Sequence, residues 1–305
     1  MQFETNFENK PLLEKKLELL NNILVNFCEQ KKTLKNEVKT SYHEEEISFF
    51  TSNNKLEKDF AKVLPASWLQ PSRKRTHSIY IFNPEDYGFT ISDWQFETSQ
   101  DCFLDSTQKS ALQRDFISHE LNDQETILIC HNSMDDGLNN FLRWFLPRRL
   151  LKKGTLVFHS SCVIENGQAK VFLGHSGAGK STMVSLREGR EHLSDDMNLI
   201  TIENDKIFIQ AGAIGGLFFD KVDYSKKYPV SSFSWLVQDS LFSSQKLTPT
   251  KAYTRALASV SNIFWDTLEV SETNKVMKLV KSITAACPFY SLHFKKDPEV
   301  WKYVE

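Results

Sequence analysis

Residues 174–181 read Gly174-His175-Ser176-Gly177-Ala178-Gly179-Lys180-Ser181, a complete G-x-x-x-x-G-K-[ST] phosphate loop. Such a loop restricts the fold around it, because it has to leave a buried strand and run into a helix. The flanking residues suit that setting. Ala169-Lys170-Val171-Phe172-Leu173 is a short apolar run ahead of the loop. Thr182-Met183-Val184-Ser185-Leu186 follows with apolar residues at helical spacing, and Gly189 is a helix stop. Each position has a physical task. The glycines allow a tight turn whose N–H groups point inward at phosphate oxygens. Lys180 brings positive charge to the β- and γ-phosphates, and the Ser181 hydroxyl suits a Mg²⁺ travelling with them. The helix N-terminus adds partial positive charge.

Fifteen residues after Lys180 come Asp195-Asp196, within His192-Leu193-Ser194-Asp195-Asp196-Met197-Asn198-Leu199-Ile200. An acid pair this close to the loop means that the chain leaves the loop helix and returns directly to the phosphates. Phosphoryl transfer requires charge neutralisation by a metal and an oriented nucleophile. Two neighbouring carboxylates divide those tasks, one taking the proton of an acceptor hydroxyl and the other acting at the Mg²⁺. The competing reading is that Asp195 and Asp196 are turn residues.

The strand pattern around the loop is not that of a plain βαβ chain. Thr155-Leu156-Val157-Phe158-His159 and Ser161-Cys162-Val163-Ile164 read as strands, and Asn166-Gly167 as a hairpin turn into the strand at 169–173. Leu199–Ile202 and Lys206–Ile209 flank Asn204-Asp205, a second hairpin. A strand is expected around Phe233–Val237, helices near 249–260 and 271–285, and a strand near Phe289–Phe294. Upstream, residues 11–37 carry a helical stripe of Leu12, Leu13, Leu17, Leu20, Ile23, Leu24 and Phe27, suited to its own domain's core or to a dimer. Residues 38–62 are polar, with Glu44-Glu45-Glu46 and then a short amphipathic stretch around Leu56–Leu64. Pro65, Pro71 and Arg73-Lys74-Arg75 read as a linker. Ser78–Phe82 and Thr126–Cys130 read as strands, and a helix from Asp136-Gly137 is expected to break at Pro147.

With 305 residues, 40% of them hydrophobic, a sizeable core is assured. The formal net charge of −2 gives no electrostatic reason for a nucleic-acid or membrane partner. The short basic clusters at 73–75 and at Arg148-Arg149 with Lys152-Lys153 read as solvated surface. Cys28, Cys102, Cys130, Cys162 and Cys287 are scattered and form no C-x-x-C pair, which suits reduced thiols. The N-terminal residues have no apolar signal core and no stretch approaches membrane-spanning length. A cytoplasmic location is the expectation.

The ordered set of His159 in Phe158-His159-Ser160-Ser161, the Asn166-Gly167 turn, the loop 174–182 and the Asp195-Asp196 pair resembles the catalytic domain of HPr kinase/phosphorylase and its relatives. That group shares a core with ATP-dependent phosphoenolpyruvate carboxykinase. Phe141–Pro147 and Pro288–Phe294 resemble the HPr-kinase-related proteins, and the likeness spans roughly 141–305. It implies an α/β fold: a P-loop nucleotide-binding domain of the HPr kinase/phosphoenolpyruvate carboxykinase-like type, with a mixed sheet containing antiparallel hairpins. The implied organisation is a helical N-terminal segment at 1–65, an α+β N-terminal region at 66–140 and the kinase domain at 141–305. The implied activity is transfer of the γ-phosphoryl of ATP, with Mg²⁺, to a hydroxyl of a serine-bearing protein, a peptide or a small molecule. Asp195 would be the base, Asp196 would act with Ser181 at the metal, and His159 and Lys180 would border the reaction. The nucleotide would be held by Gly174, His175, Ser176, Gly177, Ala178, Gly179, Lys180, Ser181 and Thr182, with His175 turned to solvent. Members of the family form oligomers, so a homo-oligomer is also an expectation.

The chain departs from that family at two places. Thr182 stands where HPr kinases carry Glu, and Ile209-Gln210-Ala211-Gly212-Ala213-Ile214-Gly215-Gly216 lacks the Glu and Arg of their later signature. These departures weigh against a second metal site, the reverse reaction and HPr itself as acceptor. They keep open a non-catalytic nucleotide-binding regulator. A transporter-type ATPase fits less well, since neither an L-S-G-G-Q motif nor an apolar strand ending in Asp-Glu follows the loop.

Overall fold

The computed structural model describes residues 10–305 apart from 44, 70–75, 95–102, 106, 108, 132–136, 213–221 and 262–268. The Arg73–Arg75 cluster, Cys102, Asp136 and Ala213–Gly216 therefore lie outside the described residues. The chain divides into two units, residues 1–143 and 144–305. Both carry mixed sheets with helices, so the protein is α/β.

The first unit holds helices α1 (Lys10–Val25), α2 (Phe27–Gln30), α3 (Leu56–Val63) and α4 (Ile91–Trp94). Its strands are β1 (Asn36–Tyr42), β2 (Glu45–Thr51), β3 (His77–Phe82), β4 (Phe103–Leu104), β5 (Ser110–Leu112), β6 (Phe116–Asn122) and β7 (Glu125–Cys130). They form one sheet in the order β1-β2-β3-β7-β6-β5-β4, with β2, β3 and β7 parallel at its centre. α1 forms where the leucine stripe predicts a helix, and Leu20 and Ile23 are fully buried against Tyr80, Phe82, Ile127 and Ile129. The stripe's apolar face is thus covered within its own unit. The hairpin β1–β2 departs from the expected helical segment at 1–65. β1 is charged at its exposed positions, Glu37 and Lys39, and β2 opens on the buried Glu45 and Glu46, which hides the hairpin in composition, while Val38, Ile47 and Phe49 supply the buried face. One sheet takes strands from both sides of residue 65, so no boundary falls there.

α5 (Gly137–Lys152) runs through Pro147 and does not stop at it. Leu146, Leu150 and Leu151 are each at most 3% exposed. Burial of these side chains, at about 1.5–3 kcal/mol each, outweighs the one helical hydrogen bond that proline forgoes.

The second unit holds β8 (Leu156–Glu165), β9 (Gln168–Leu173), α6 (Lys180–Ser185), β10 (Glu191–His192), β11 (Met197–Glu203), β12 (Lys206–Ala211), β13 (Lys227–Gln238), β14 (Ser243–Lys246), α7 (Pro249–Leu257), α8 (Val270–Ala286) and β15 (Phe289–Phe294). The two strands expected across 155–164 are one ten-residue strand, β8, since Ser160 and Ser161 stay in the ladder and are fully buried. Both hairpins form where the sequence places them. Asn166 and Gly167 have φ of 51° and 73°, and Asn204 and Asp205 have φ of 48° and 62°. These are the paired positive values of a type I′ turn. Pairing of β8 with β11, β11 with β12, β12 with β13, β13 with β9 and β9 with β8 closes a ring of strands. β13 runs parallel to both β9 and β15, and its register shifts between Val230 and Ser232, where it passes from β12 to β9. Phe172, Met183, Val184, Leu236, Leu292 and Phe294 form a core directly beneath the phosphate loop.

Among the described residues no helix is long and apolar enough to cross a membrane. Cys130 and Cys162 are fully buried and burial pushes both thiols up, while Cys28 is exposed.

A Cβ on Gly167 meets nothing within 4 Å, so only the left-handed backbone opposes a side chain there. Gly167→Ala is expected to lower unfolding free energy by about 1 kcal/mol in urea titration, with an unchanged m-value. An unchanged midpoint would contradict the turn assignment.

Candidate active site around the glycine loop

The loop connects β9 to α6, the strand-to-helix setting that the sequence calls for. Its two ends touch. A Cβ on Gly174 would lie 2.6 Å from that of Ala178, so residue 174 has no room for a side chain. Gly179 has φ of +104°, and a Cβ there would come within 2.7 Å of Phe294 Cζ. The backbone and the β15 aromatic both demand glycine at that position. Further bonds set the loop's shape. Ala178 N–H donates to His175 O at 3.1 Å, and Gln238 Nε2 on β13 donates to Gly177 O at 2.7 Å. Ser161 Oγ on β8 donates to Lys180 O at 2.8 Å, fixing the start of α6. α6 has only six residues, so its summed dipole is small beside the N–H groups of the loop itself.

Lys180 lies folded under the loop, 7% exposed. Its Nζ donates to Gly174 O at 3.0 Å and to His175 O at 3.1 Å. Burial lowers the ammonium's pKa from the usual lysine range, and the negative charge of Asp196 offsets part of that shift. The side chain is thus held by two neutral carbonyls in a place where an anion would bind it more strongly.

The acid pair reaches the loop because of a mismatch in register. From His192 to Met197 the chain takes five steps, while β8 takes four from Val163 to His159. The one extra residue is a bulge between β10 and β11. In a regular strand adjacent side chains point to opposite faces. Here Asp195 and Asp196 both border one cavity, of about 430 Å³, together with His159, Ser176, Gly177, Gly179, Lys180, Ser181 and Thr182. The bulge is pinned along β8 by Leu193 N–H to Cys162 O, Cys162 N–H to Ser194 O and Ser160 N–H to Asp196 O. His159 Nε2 lies 3.0 Å from Asp196 Oδ1.

Two residues that the sequence does not flag hold this turn. Ser194 Oγ accepts the N–H groups of Asp196 and Met197, at 3.2 and 3.1 Å. Asn198 is fully buried, and its amide donates to Ser160 O, Ser160 Oγ and Ser194 O at 2.7, 3.1 and 3.2 Å while accepting from Ser194 N–H at 3.3 Å. The available signal is the polar Asn198 inside the apolar run Met197–Ile200, where a buried amide has to be fully bonded.

Of the residues expected at the site, nine surround the cavity and three do not. Gly174 and Ala178 form the loop's frame, and His175, although exposed, packs edge-on against the Trp235 ring at 4.9 Å instead of standing free in solvent. Of the second glycine-rich stretch, Gly212 closes β12 against Met197 O at 3.0 Å, next to Asp196 in sequence. Among the described residues no three His, Cys, Asp or Glu side chains gather as a metal centre.

No family model matches the chain. No curated protein matches it either. Among solved structures, the Hpr(Ser) kinase/phosphatase from Coxiella burnetii aligns over 30% of this chain and 70% of its own, at 14% identity and a TM-score of 0.23. A likeness that slight carries no argument, and the functional reading rests on the geometry of the cavity.

Asn198→Ala is expected to lower unfolding free energy by about 2–4 kcal/mol, because it strands Ser160 O and the Ser194 N–H in a dry interior, while Ser194 O keeps the Cys162 N–H. Urea titration measures this, and a loss below about 0.5 kcal/mol would show that the bulge does not depend on the amide.

Proposed function

We propose that the chain is a phosphotransferase that moves the terminal phosphoryl group of a nucleoside triphosphate, ATP in the first instance, to a hydroxyl of a protein, peptide or small molecule. The observation that carries the reading is that the bulge brings Asp195, Asp196 and His159 to the same cavity as Lys180 and Ser181. A phosphate loop alone supports binding. A loop with two carboxylates across from it supports transfer as well.

The residues present fit a triphosphate with Mg²⁺. The cavity lies within the range of cofactor-sized sites. Ser181 and Asp196 are the hard oxygen donors that would hold the ion, and Mg²⁺ takes only one or two protein ligands when phosphates complete its shell. Bound there, the ion neutralises charge on the phosphoryl oxygens.

The chain's own residues do the rest. The loop N–H groups and Lys180 Nζ hold the phosphates, with the ammonium exchanging two carbonyls for phosphate oxygens. His159, donating through Nε2, holds the Asp196 carboxylate toward the cavity. Asp195, 4% exposed, takes the acceptor's proton. The acceptor oxygen forms its bond to the γ-phosphorus as the bond from that phosphorus to the β–γ bridging oxygen breaks. The electron pair of the broken bond leaves on the nucleoside diphosphate.

A second reading, a regulator that binds nucleotide without turnover, is favoured by Thr182 and by the uncharged Gln210-Ala211-Gly212. The two readings separate by experiment. With γ-labelled ATP, Mg²⁺ and a lysate of the source cell, the wild type is expected to label an acceptor and Lys180→Ala to label none. Asp195→Asn is expected to reduce labelling by about 10²-fold or more while leaving ATP affinity within about twofold. Labelling unaffected by Asp195→Asn would contradict the assigned base. Binding with no labelled product and no ATP consumption would favour the regulator.

A further inference from the structure

Arg255 stands beside the start of the loop with its charge unused. Its Cζ lies 4.3 Å over the Trp235 ring, and the same indole meets His175 edge-on. Trp235 is 5% exposed and is paired in the β9–β13 ladder with Leu173, the last residue before the loop. Arg255 itself is exposed on α7. The turn after it is tied to the candidate site, since Ser259 Oγ donates to Arg255 O at 2.9 Å and Ser259 O accepts the His159 N–H at 2.7 Å. Among the described residues no carboxylate or carbonyl pairs with the guanidinium, whose one contact is the indole.

Lys180 shows which end of the loop this is. Its Nζ rests on the carbonyls of Gly174 and His175. The lysine of a phosphate loop meets the β- and γ-phosphates, so the first two loop residues lie at the terminal-phosphate end. Arg255 is one indole away from that end, on the helix whose following turn binds the strand that carries His159. The segment Ile209-Gln210-Ala211-Gly212 supplies no arginine of its own.

We propose that Arg255 is a catalytic residue acting on the phosphoryl group in flight. This rests on the reading of the cavity as a phosphotransferase site. Its planar fork leaves the face of Trp235 and donates to the equatorial oxygens of the phosphoryl as the bond to the diphosphate breaks and the bond to the acceptor oxygen forms. An exposed cation–π stack is weaker than a bidentate, charge-assisted bond to phosphate oxygens, so bound substrate draws the guanidinium across while Trp235 parks it between turnovers. The ground-state nucleoside diphosphate presents no such oxygens to it.

The probe is ADP with Mg²⁺ and aluminium fluoride, a mimic of the transferring phosphoryl, compared by calorimetry with ADP and Mg²⁺ alone. Arg255→Ala is expected to leave the affinity for ADP unchanged and to weaken the aluminium fluoride complex by about ten- to a hundredfold. Arg255→Lys, which keeps the charge and loses the fork, is expected to fall between them. Equal fluoride complexes in wild type and Arg255→Ala would overturn the assignment and leave the phosphotransferase reading standing. An ADP affinity and melting temperature that both fall in Arg255→Ala would make the residue a support for Trp235 only, and would also overturn it. A wild type that binds neither ADP nor the fluoride complex would overturn both readings.

Discussion

β8 is hydrogen-bonded along both edges, and each of its neighbours delivers a piece of the candidate site to the same end. On one edge it pairs with β11 and then β10, with the acid-bearing bulge between them. On the other edge it pairs with β9, which leads into the phosphate loop, and with the turn after α7 through the bridge of Phe158 with Val260. Its own side chains finish the assembly. His159 meets Asp196, Ser160 receives the Asn198 amide, and Ser161 holds the first carbonyl of α6. Because these partners share one strand, their relative positions are set by backbone ladders. Ladders give the sub-ångström definition that phosphoryl transfer needs more reliably than side-chain packing does.

The sequence states the loop and both hairpins openly, because each depends on residues with few conformational substitutes. Asn166-Gly167 and Asn204-Asp205 are read correctly since a type I′ turn needs two positive φ values. The strand–loop–helix setting of Gly174–Ser181 follows from the same kind of restriction. What stays hidden is context. β1 sets the charged Glu37 and Lys39 on either side of the buried Val38, β2 opens on the adjacent Glu45 and Glu46, and the pair resembles a polar linker until a sheet supplies partners. Pro147 marks a helix end by local rules, and the burial of Leu150 and Leu151 overrides them. The bulge at Asp195-Asp196 is invisible because register belongs to two strands together. Asn198 is hidden for the same reason, since its amide reaches Ser160, remote in sequence, whereas Ser194 caps N–H groups only two and three residues ahead, inside the turn that the bulge creates.

The electrostatics of the cavity are divided between its two walls. The loop side offers main-chain N–H groups and the buried Lys180, with Arg255 waiting on Trp235 beyond His175. The opposite side offers Asp195 and Asp196 with His159 on the second acid. Neither wall alone suits a triphosphate bound for transfer. Carboxylates facing bare phosphates would repel them, and a loop with no acid opposite would only bind. On the proposed reading a divalent cation would resolve the conflict between the two walls, and would give the pair of aspartates a reason to stand so close to the loop.

The most direct test is diffraction from crystals grown with a non-hydrolysable ATP analogue and Mn²⁺, using the anomalous signal to locate the metal. The account predicts a single strong peak beside the β- and γ-phosphates, within direct or one-water reach of Ser181 Oγ and an Asp196 oxygen, with the Asp195 carboxylate facing the γ-phosphorus. A bound triphosphate from which both aspartates turn away, with the metal held by neither, would contradict it.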